Sequence, residues 1–224
     1  MQIAILLYDR FTALDAIGPY EVLSRLPGAE LAFVAAEAGE VRTDNGMLTL
    51  VAQRALGEMR APDIVLVPGG PGEVGARAGG EALEWLRAAH ETTTWTTSVC
   101  TGSLILGAAG LLEGRRATSH WLALEALRSL GAEAVNERVV FDGKIATAAG
   151  VSAGIDMALA LAARIAGEQV AQAIQLGIEY DPQPPFDAGS PEKAPAEIVE
   201  LLRGRSRFVE DAAGTRASAR AATS

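Results

Sequence analysis

The sequence predicts an α/β domain built on a mostly parallel sheet with helices on both faces. Three observations carry that expectation. Short aliphatic or β-branched runs alternate with helical patterns along most of the chain, as parallel strands joined by crossover helices require. A strand pattern over 93–99 becomes a helical pattern of small and aliphatic residues within one or two positions, at Cys100-Thr101. Another strand pattern, 64–67, runs directly into Pro68-Gly69-Gly70-Pro71-Gly72, whose glycines allow backbone amides to turn inward.

The elements follow in order. Residues 2–7 are a compact apolar run ended by Tyr8-Asp9-Arg10, a buried first strand. Leu14-Asp15-Ala16-Ile17-Gly18-Pro19 opens a helix. Pro19 fits only a first turn, which places Asp15 at or just before the helix start. There Asp15 reads as a helix cap or as a carboxyl free for chemistry. Residues 31–36 are a second strand. Residues 41–53, centred on Asn45-Gly46, read as a β-hairpin in which that dipeptide supplies two positive-φ positions. Residues 82–90 make an amphipathic helix whose last residue, His90, is expected to be solvated. The 93–99 strand, the elbow and a short buried helix stopped by Gly110 come next.

Beyond Glu113-Gly114, residues 115–118 are a short strand. Ser119 is placed to cap a helix over 120–130 that Gly131 stops. Residues 133–135, 139–141 and 144–147 are strand-like, the last two joined by Asp142-Gly143. Ala149-Gly150-Val151-Ser152-Ala153 feeds a long helix reaching about Ala166, and 168–180 is another. Residues 186–195 are loop by composition and 196–205 a final helix. With no internal repeat and no linker, residues 1–210 are expected to be one domain, and 211–224, rich in Ala, Arg and Ser, a frayed tail.

Composition bounds the function. Among 224 residues, 49% are apolar, enough for a substantial core. A formal charge of -9 argues against a nucleic-acid partner, which a basic face would serve. No run is long and apolar enough to span a bilayer, and Met1-Gln2-Ile3 leads into strand without a charged leader, so neither membrane insertion nor export is expected. A single cysteine makes no internal disulfide, which fits a reducing, cytoplasmic setting. The partner this leaves is a small molecule or another protein.

In an open α/β sheet, ligands bind beyond the carboxyl ends of the strands. Three such ends carry distinctive residues: Asp15, the Gly69-Gly70 turn, and Cys100-Thr101. A lone cysteine in an apolar stretch is ordinarily a small core residue. A sharp strand-to-helix turn changes that reading, because it lifts the side chain above the sheet edge and directs the first helical N–H groups at it, favouring thiolate. Cys100 then serves as nucleophile, the amides near Gly70 and Thr101 hold developing negative charge, and Asp15 gives or takes a proton. Adjacent anions are costly, so Asp15 is protonated when the thiolate is present. A Cys–His pair finds little support, since the only histidines are His90 and His120. His120, after Thr118-Ser119 and before Trp121, is a candidate for the mouth of the site. The glycine turn lacks the Gly-Lys-Ser/Thr ending of a phosphate loop, and no His/Cys/carboxylate cluster has metal spacing.

Pro68-Gly69-Gly70 after a strand, Ser98-Val99-Cys100-Thr101-Gly102-Ser103 at the elbow, and Ala117-Thr118-Ser119-His120-Trp121 resemble the ThiJ/PfpI superfamily over nearly the whole chain. Leu14-Asp15-Ala16-Ile17-Gly18-Pro19, Leu106-Gly107-Ala108-Ala109-Gly110-Leu111-Leu112 and the run from Glu179 to Pro191 are similar to its isocyanide hydratase branch. The elbow is common to several branches, and the 179–191 run is the more discriminating part. The resemblance implies a flavodoxin-like fold with a nucleophile elbow, a homodimer, and hydration of isocyanides to N-substituted formamides without metal or organic cofactor. Residue by residue it matches Cys100 to the nucleophile, Asp15 to the acidic partner and Thr101 to an assisting threonine. Deglycase- and glyoxalase-like members have Glu where this chain has Asp15, and peptidase-like members have His where it has Thr101. Two rival readings stand beside the enzyme. One is a ligand- or redox-sensing module, since regulators of the AraC type carry a similar elbow ahead of a helix-turn-helix region, whereas this chain stops at Ser224. The other is a glyoxalase-like carbonyl enzyme.

Overall fold

A computed structural model describes residues 1–206 and Phe208. The expected fray at 211–224 lies outside the described residues. In chain order the elements are β1 (Gln2–Leu6), α1 (Ala13–Leu23), β2 (Glu30–Ala35), β3 (Gly39–Arg42), β4 (Thr49–Ala52), β5 (Arg54–Ala55) and β6 (Ile64–Val67). Then come α2 (Glu73–Ala76), α3 (Glu81–Thr92), β7 (Trp95–Val99), α4 (Gly102–Ala108), β8 (Arg116–Ala117) and α5 (Leu124–Ser129). β9 (Glu133–Ala134), β10 (Val139–Asp142), β11 (Ile145–Ala148), α6 (Ala153–Ala166), α7 (Glu168–Gly177) and α8 (Ala196–Gly204) complete the described chain.

Seven strands form one sheet in the order β10-β11-β7-β6-β1-β2-β5. All neighbours are parallel except β10 and β11, whose antiparallel pairing closes one edge. The chain moves outward from β1 to β2 and later returns to the other side of β1 with β6, so the order of strands reverses between β1 and β6. Crevices form at such reversals. Burial alternates along β1: Ile3 and Ile5 join the apolar cluster that includes Met157 and Leu161 of α6, while Ala4 and Leu6 join the one that includes Leu86 of α3 and Leu104 of α4. Period-2 alternation in which both faces are apolar is what a sheet covered on both sides demands.

Several local expectations are corrected. Helix α1 starts at Ala13, with Thr12 as its N-cap residue, so Pro19 falls inside the helix. Tertiary bonds fix that early start: the Thr12 N–H donates to the Gly69 carbonyl at 2.8 Å, and its hydroxyl donates to Asp44 Oδ2 at 2.9 Å. The missing N–H of Pro19 leaves the Asp15 carbonyl, four residues earlier, without its helical donor. β3 and β4 do pair as a hairpin, but Asn45-Gly46 does not make a two-residue turn. The loop is longer, closed by the Thr43 N–H on the Leu48 carbonyl at 2.9 Å, and of the pair only Gly46 has positive φ. β8 pairs with β9 in a separate two-stranded sheet. The expected helix over 120–130 divides into a 3₁₀ turn, Trp121–Ala123, and α5. His90 is not simply solvated: its Nδ1 lies 2.8 Å from Thr96 Oγ1, and Lys144 Nζ caps the end of α3 through the His90 carbonyl.

The elbow requires glycine after it. A Cβ at Gly102 would lie well inside contact distance of the Val67 carbonyl and 2.8 Å from that of Pro68. Backbone cannot yield as a flexible side chain can, so Gly102→Ala is expected to cost on the order of 3 kcal/mol, read as a lowered urea midpoint at unchanged m-value. Among the described residues no helix is long and apolar enough to cross a membrane.

Candidate active site

Four neighbouring strands deliver the site at their carboxyl ends. β1 leads through Thr12 to Asp15, β6 to Gly69 and Gly70, β7 to Cys100 and Thr101, and β11 to Gly150 and Val151. Cys100 has φ +57°, a left-handed conformation that a residue with a side chain adopts at a cost of roughly 1 kcal/mol or more. Contacts to its peptide groups hold it there. Its N–H is shared between the carbonyls of Ala148 at 3.0 Å and Ala149 at 2.9 Å. Its carbonyl accepts from Ser103 Oγ at 3.2 Å and Ser119 Oγ at 3.0 Å. Ser119 therefore braces the elbow rather than capping the next helix, whose cap is made by His120 Nδ1 accepting from the Leu122 N–H.

Asp15 is fully buried, although it lies in the first turn of α1. It does not cap that helix. Its Oδ2 accepts the Gly69 N–H at 2.9 Å, across 54 residues of sequence. Oδ1 is buried without a hydrogen-bond partner, and the carboxyl lies in interaction range of the Cys100 thiol. Burial dominates the proton equilibrium and pushes Asp15 up to about 7, against the Gly69 and Cys100 hydrogen bonds that oppose it. Cys100, only 6% exposed, is pushed up to about 12, first by burial and then by the neighbouring carboxylate. The N–H groups of Val151 and Thr101 reach the sulfur and pull the other way. The resting site thus favours a thiol beside a carboxyl poised near neutrality, where the sequence pointed to a standing thiolate. The elbow amides are outweighed by the loss of water.

The glycine turn serves the site differently from the sequence expectation. The Gly70 N–H donates to Thr101 Oγ1 at 3.0 Å, and that of Gly69 is taken by Asp15. Both amides are therefore engaged within the site rather than held open for developing charge. Their close packing is only possible without side chains, since a Cβ at Gly69 would come within 2.7 Å of Thr101 Oγ1 and 2.9 Å of Asp15 Oδ2. Gly70 nevertheless lines the cavity over Cys100, as do Thr101, His120 and Val151. That cavity is about 310 Å³, the low end of the range for small-molecule sites. Gly69 lies behind the lining. Burial holds the His120 imidazole below its ordinary value. Because Nδ1 accepts from Leu122 at 3.3 Å, the ring proton is on Nε2.

The roles of Val151, Ser103, Ser119 and Tyr8 at the site escaped the sequence reading. Tyr8 hydroxyl donates to the Pro68 carbonyl at 2.8 Å and pins the glycine turn. Each of these residues stood in a stretch the sequence analysis quoted, Ser103 in the elbow motif and Ser119 as a helix cap, but only convergence in the fold gives them their roles at the site. Among the described residues no group of three or more His, Cys, Asp or Glu side chains is placed to hold a metal. What the arrangement can do chemically is move one proton between a sulfur and a carboxyl while the sulfur attacks a small electrophile.

Comparison with known proteins gives this geometry a context. The chain is 42% identical over 206 residues to an isonitrile hydratase of Pseudomonas putida, covering 92% of this chain and 90% of that one. A solved structure of a ThiJ/PfpI family protein from Pseudomonas syringae superposes with a TM-score of 0.88 at 39% identity, over 95% of this chain and 86% of the other. The HTH-type transcriptional regulator CdhR of Pseudomonas aeruginosa is 36% identical over 141 residues, which is 62% of this chain and 41% of the regulator. The sequence model described as DJ-1/PfpI family matches residues 1–164. With that match spanning most of its length, the chain belongs to the DJ-1/PfpI family.

Proposed function

We propose that this protein is a cysteine-dependent enzyme that hydrates isocyanides, R–N≡C, to N-substituted formamides. The observation that carries the reading is the buried carboxyl of Asp15, anchored by Gly69 and set beside the Cys100 thiol at a strained elbow. An isocyanide carbon needs both a nucleophile and a proton, and this pair supplies both. The extensive similarity to an isonitrile hydratase supports the same reaction.

In the first step the thiol proton passes to the Asp15 carboxylate as Sγ bonds to the terminal carbon. The N–H groups of Thr101 and Val151 stabilise the sulfur while it is anionic. Asp15 then protonates the carbon, giving the thioimidate Cys–S–CH=N–R. Water adds to that carbon, the nitrogen is protonated, and the C–S bond breaks to release R–NH–CHO and the thiol. One water is consumed and the enzyme is restored. Thr101 acts as a positioning residue by tying Gly70 to the elbow. A homodimer belongs to the same reading, on the resemblance alone.

Incubation with methyl and benzyl isocyanide is expected to yield the matching formamides catalytically, measured by mass spectrometry or NMR. Failure with both would overturn the proposal. The similarity to CdhR favours a second reading, a sensing module. Stoichiometric oxidation of Cys100 by peroxide with no isocyanide turnover would support it, whereas consumption of methylglyoxal in place of isocyanide would favour a carbonyl enzyme.

A further inference from the structure

We infer that the substituent R of the substrate occupies a second cavity beyond His120, and that this chamber selects isocyanides whose R is not anionic and has an apolar, preferably aromatic, face. The inference rests on the isocyanide reading of the Cys100 site. The chamber is about 430 Å³ and shares His120 and Val151 with the cavity over Cys100, so the two adjoin at these residues.

An isocyanide carries its one substituent on nitrogen, so with its carbon at Sγ the R group has to be housed in space next to the cavity over Cys100. His120, whose ring proton is on Nε2, lines both cavities. That ring sits against Gly150, where a Cβ would come within 2.9 Å of His120 Cδ2. Beyond it, Trp121, Val151 and Pro191 offer apolar surface.

Of the charged groups of the chamber, Glu137 and Arg138 face opposite charges, whereas Glu192 is held by a neutral amide. Glu137 pairs with Arg116 at 2.6 Å, Glu192 accepts from Asn136 Nδ2 at 2.9 Å, and Arg138 pairs with Asp156. An anionic R would meet the Glu192 carboxylate, which is held there by a neutral amide, whereas an apolar one would displace water from the indole and proline faces.

The test is the ratio of kcat/KM for benzyl over methyl isocyanide. Trp121→Ala removes the aromatic surface, and Ser190→Trp, on the loop wall, fills the chamber. Each is expected to lower the ratio by about tenfold or more, equivalent to about 1.4 kcal/mol of lost discrimination. A ratio unchanged in both variants, with turnover intact, overturns the chamber and leaves the reaction standing. Absence of turnover by the parent protein overturns both.

Discussion

Cys100→Ala is expected to abolish formamide production, a loss on the order of 10³-fold or more, because the thioimidate cannot form without the sulfur. The variant should still fold. The bend at position 100 is held through its peptide N–H and carbonyl, by Ala148, Ala149, Ser103 and Ser119, and none of these bonds uses the thiol. Cys100→Gly sharpens the test. Glycine is at ease at φ +57°, so this variant is expected to exceed Cys100→Ala in stability by about 1 kcal/mol while being equally inactive. Urea denaturation and product assays on the two variants check both halves. Turnover retained by either would sink the assignment of the nucleophile.

Asp15→Asn carries the second large effect, and it runs in opposite directions for activity and stability. Asparagine can still accept the Gly69 N–H but cannot take the thiol proton and deliver it to carbon, so a loss on the order of 10³-fold is expected. In the parent, kcat/KM should rise with pH through about 7, where Asp15 becomes able to accept the thiol proton. For stability, the folded-state carboxyl titrates near 7 while its ordinary value is 3.8. Between those values the native protein keeps a proton that the unfolded chain has released. Stability therefore falls as pH rises across this window and stays at its lower level above it. Asp15→Asn removes the cost of the buried charge. It is expected to be more stable than the parent at pH 8, by on the order of 1–4 kcal/mol, and close to it at pH 4. Urea midpoints at both pH values decide the matter; an Asn variant no more stable at pH 8 would show that burial does not govern this carboxyl.

The sequence made the sheet legible because burial on both faces leaves continuous apolar runs at 3–6 and 64–67 whatever the loops do, while 95–99, Trp-Thr-Thr-Ser-Val, is marked as strand by its aromatic and β-branched residues. The elbow was legible for a similarly local reason: strand and helix patterns abut at Cys100 with no room for a loop. Asp15 is the intermediate case. Its residue type and place after β1 stood out, but choosing between cap and chemical group depended on Gly69, 54 residues away. The misplaced helix start has the same origin, since Thr12 is fixed by Gly69 and Asp44, bonds that no window of sequence contains. Ser119 looked like a cap because serine before a helical pattern ordinarily is one; the Cys100 carbonyl outcompeted the helix for its hydroxyl. The proton balance of the site was illegible for a different reason. It is set by the exclusion of water from two adjacent groups, a property of packing that residue types do not encode.

The two serines on the Cys100 carbonyl have a consequence for the inheritance of this architecture. Because the corner is secured from outside the reacting side chain, position 100 can change identity without first requiring a compensating change elsewhere. A lineage could silence the chemistry in one substitution, keep the crevice, and put it to use for detecting a small molecule. Reversion would be just as short a path. Catalyst and detector are then near neighbours in sequence space, separated at this corner by one side chain rather than by a rebuilt scaffold.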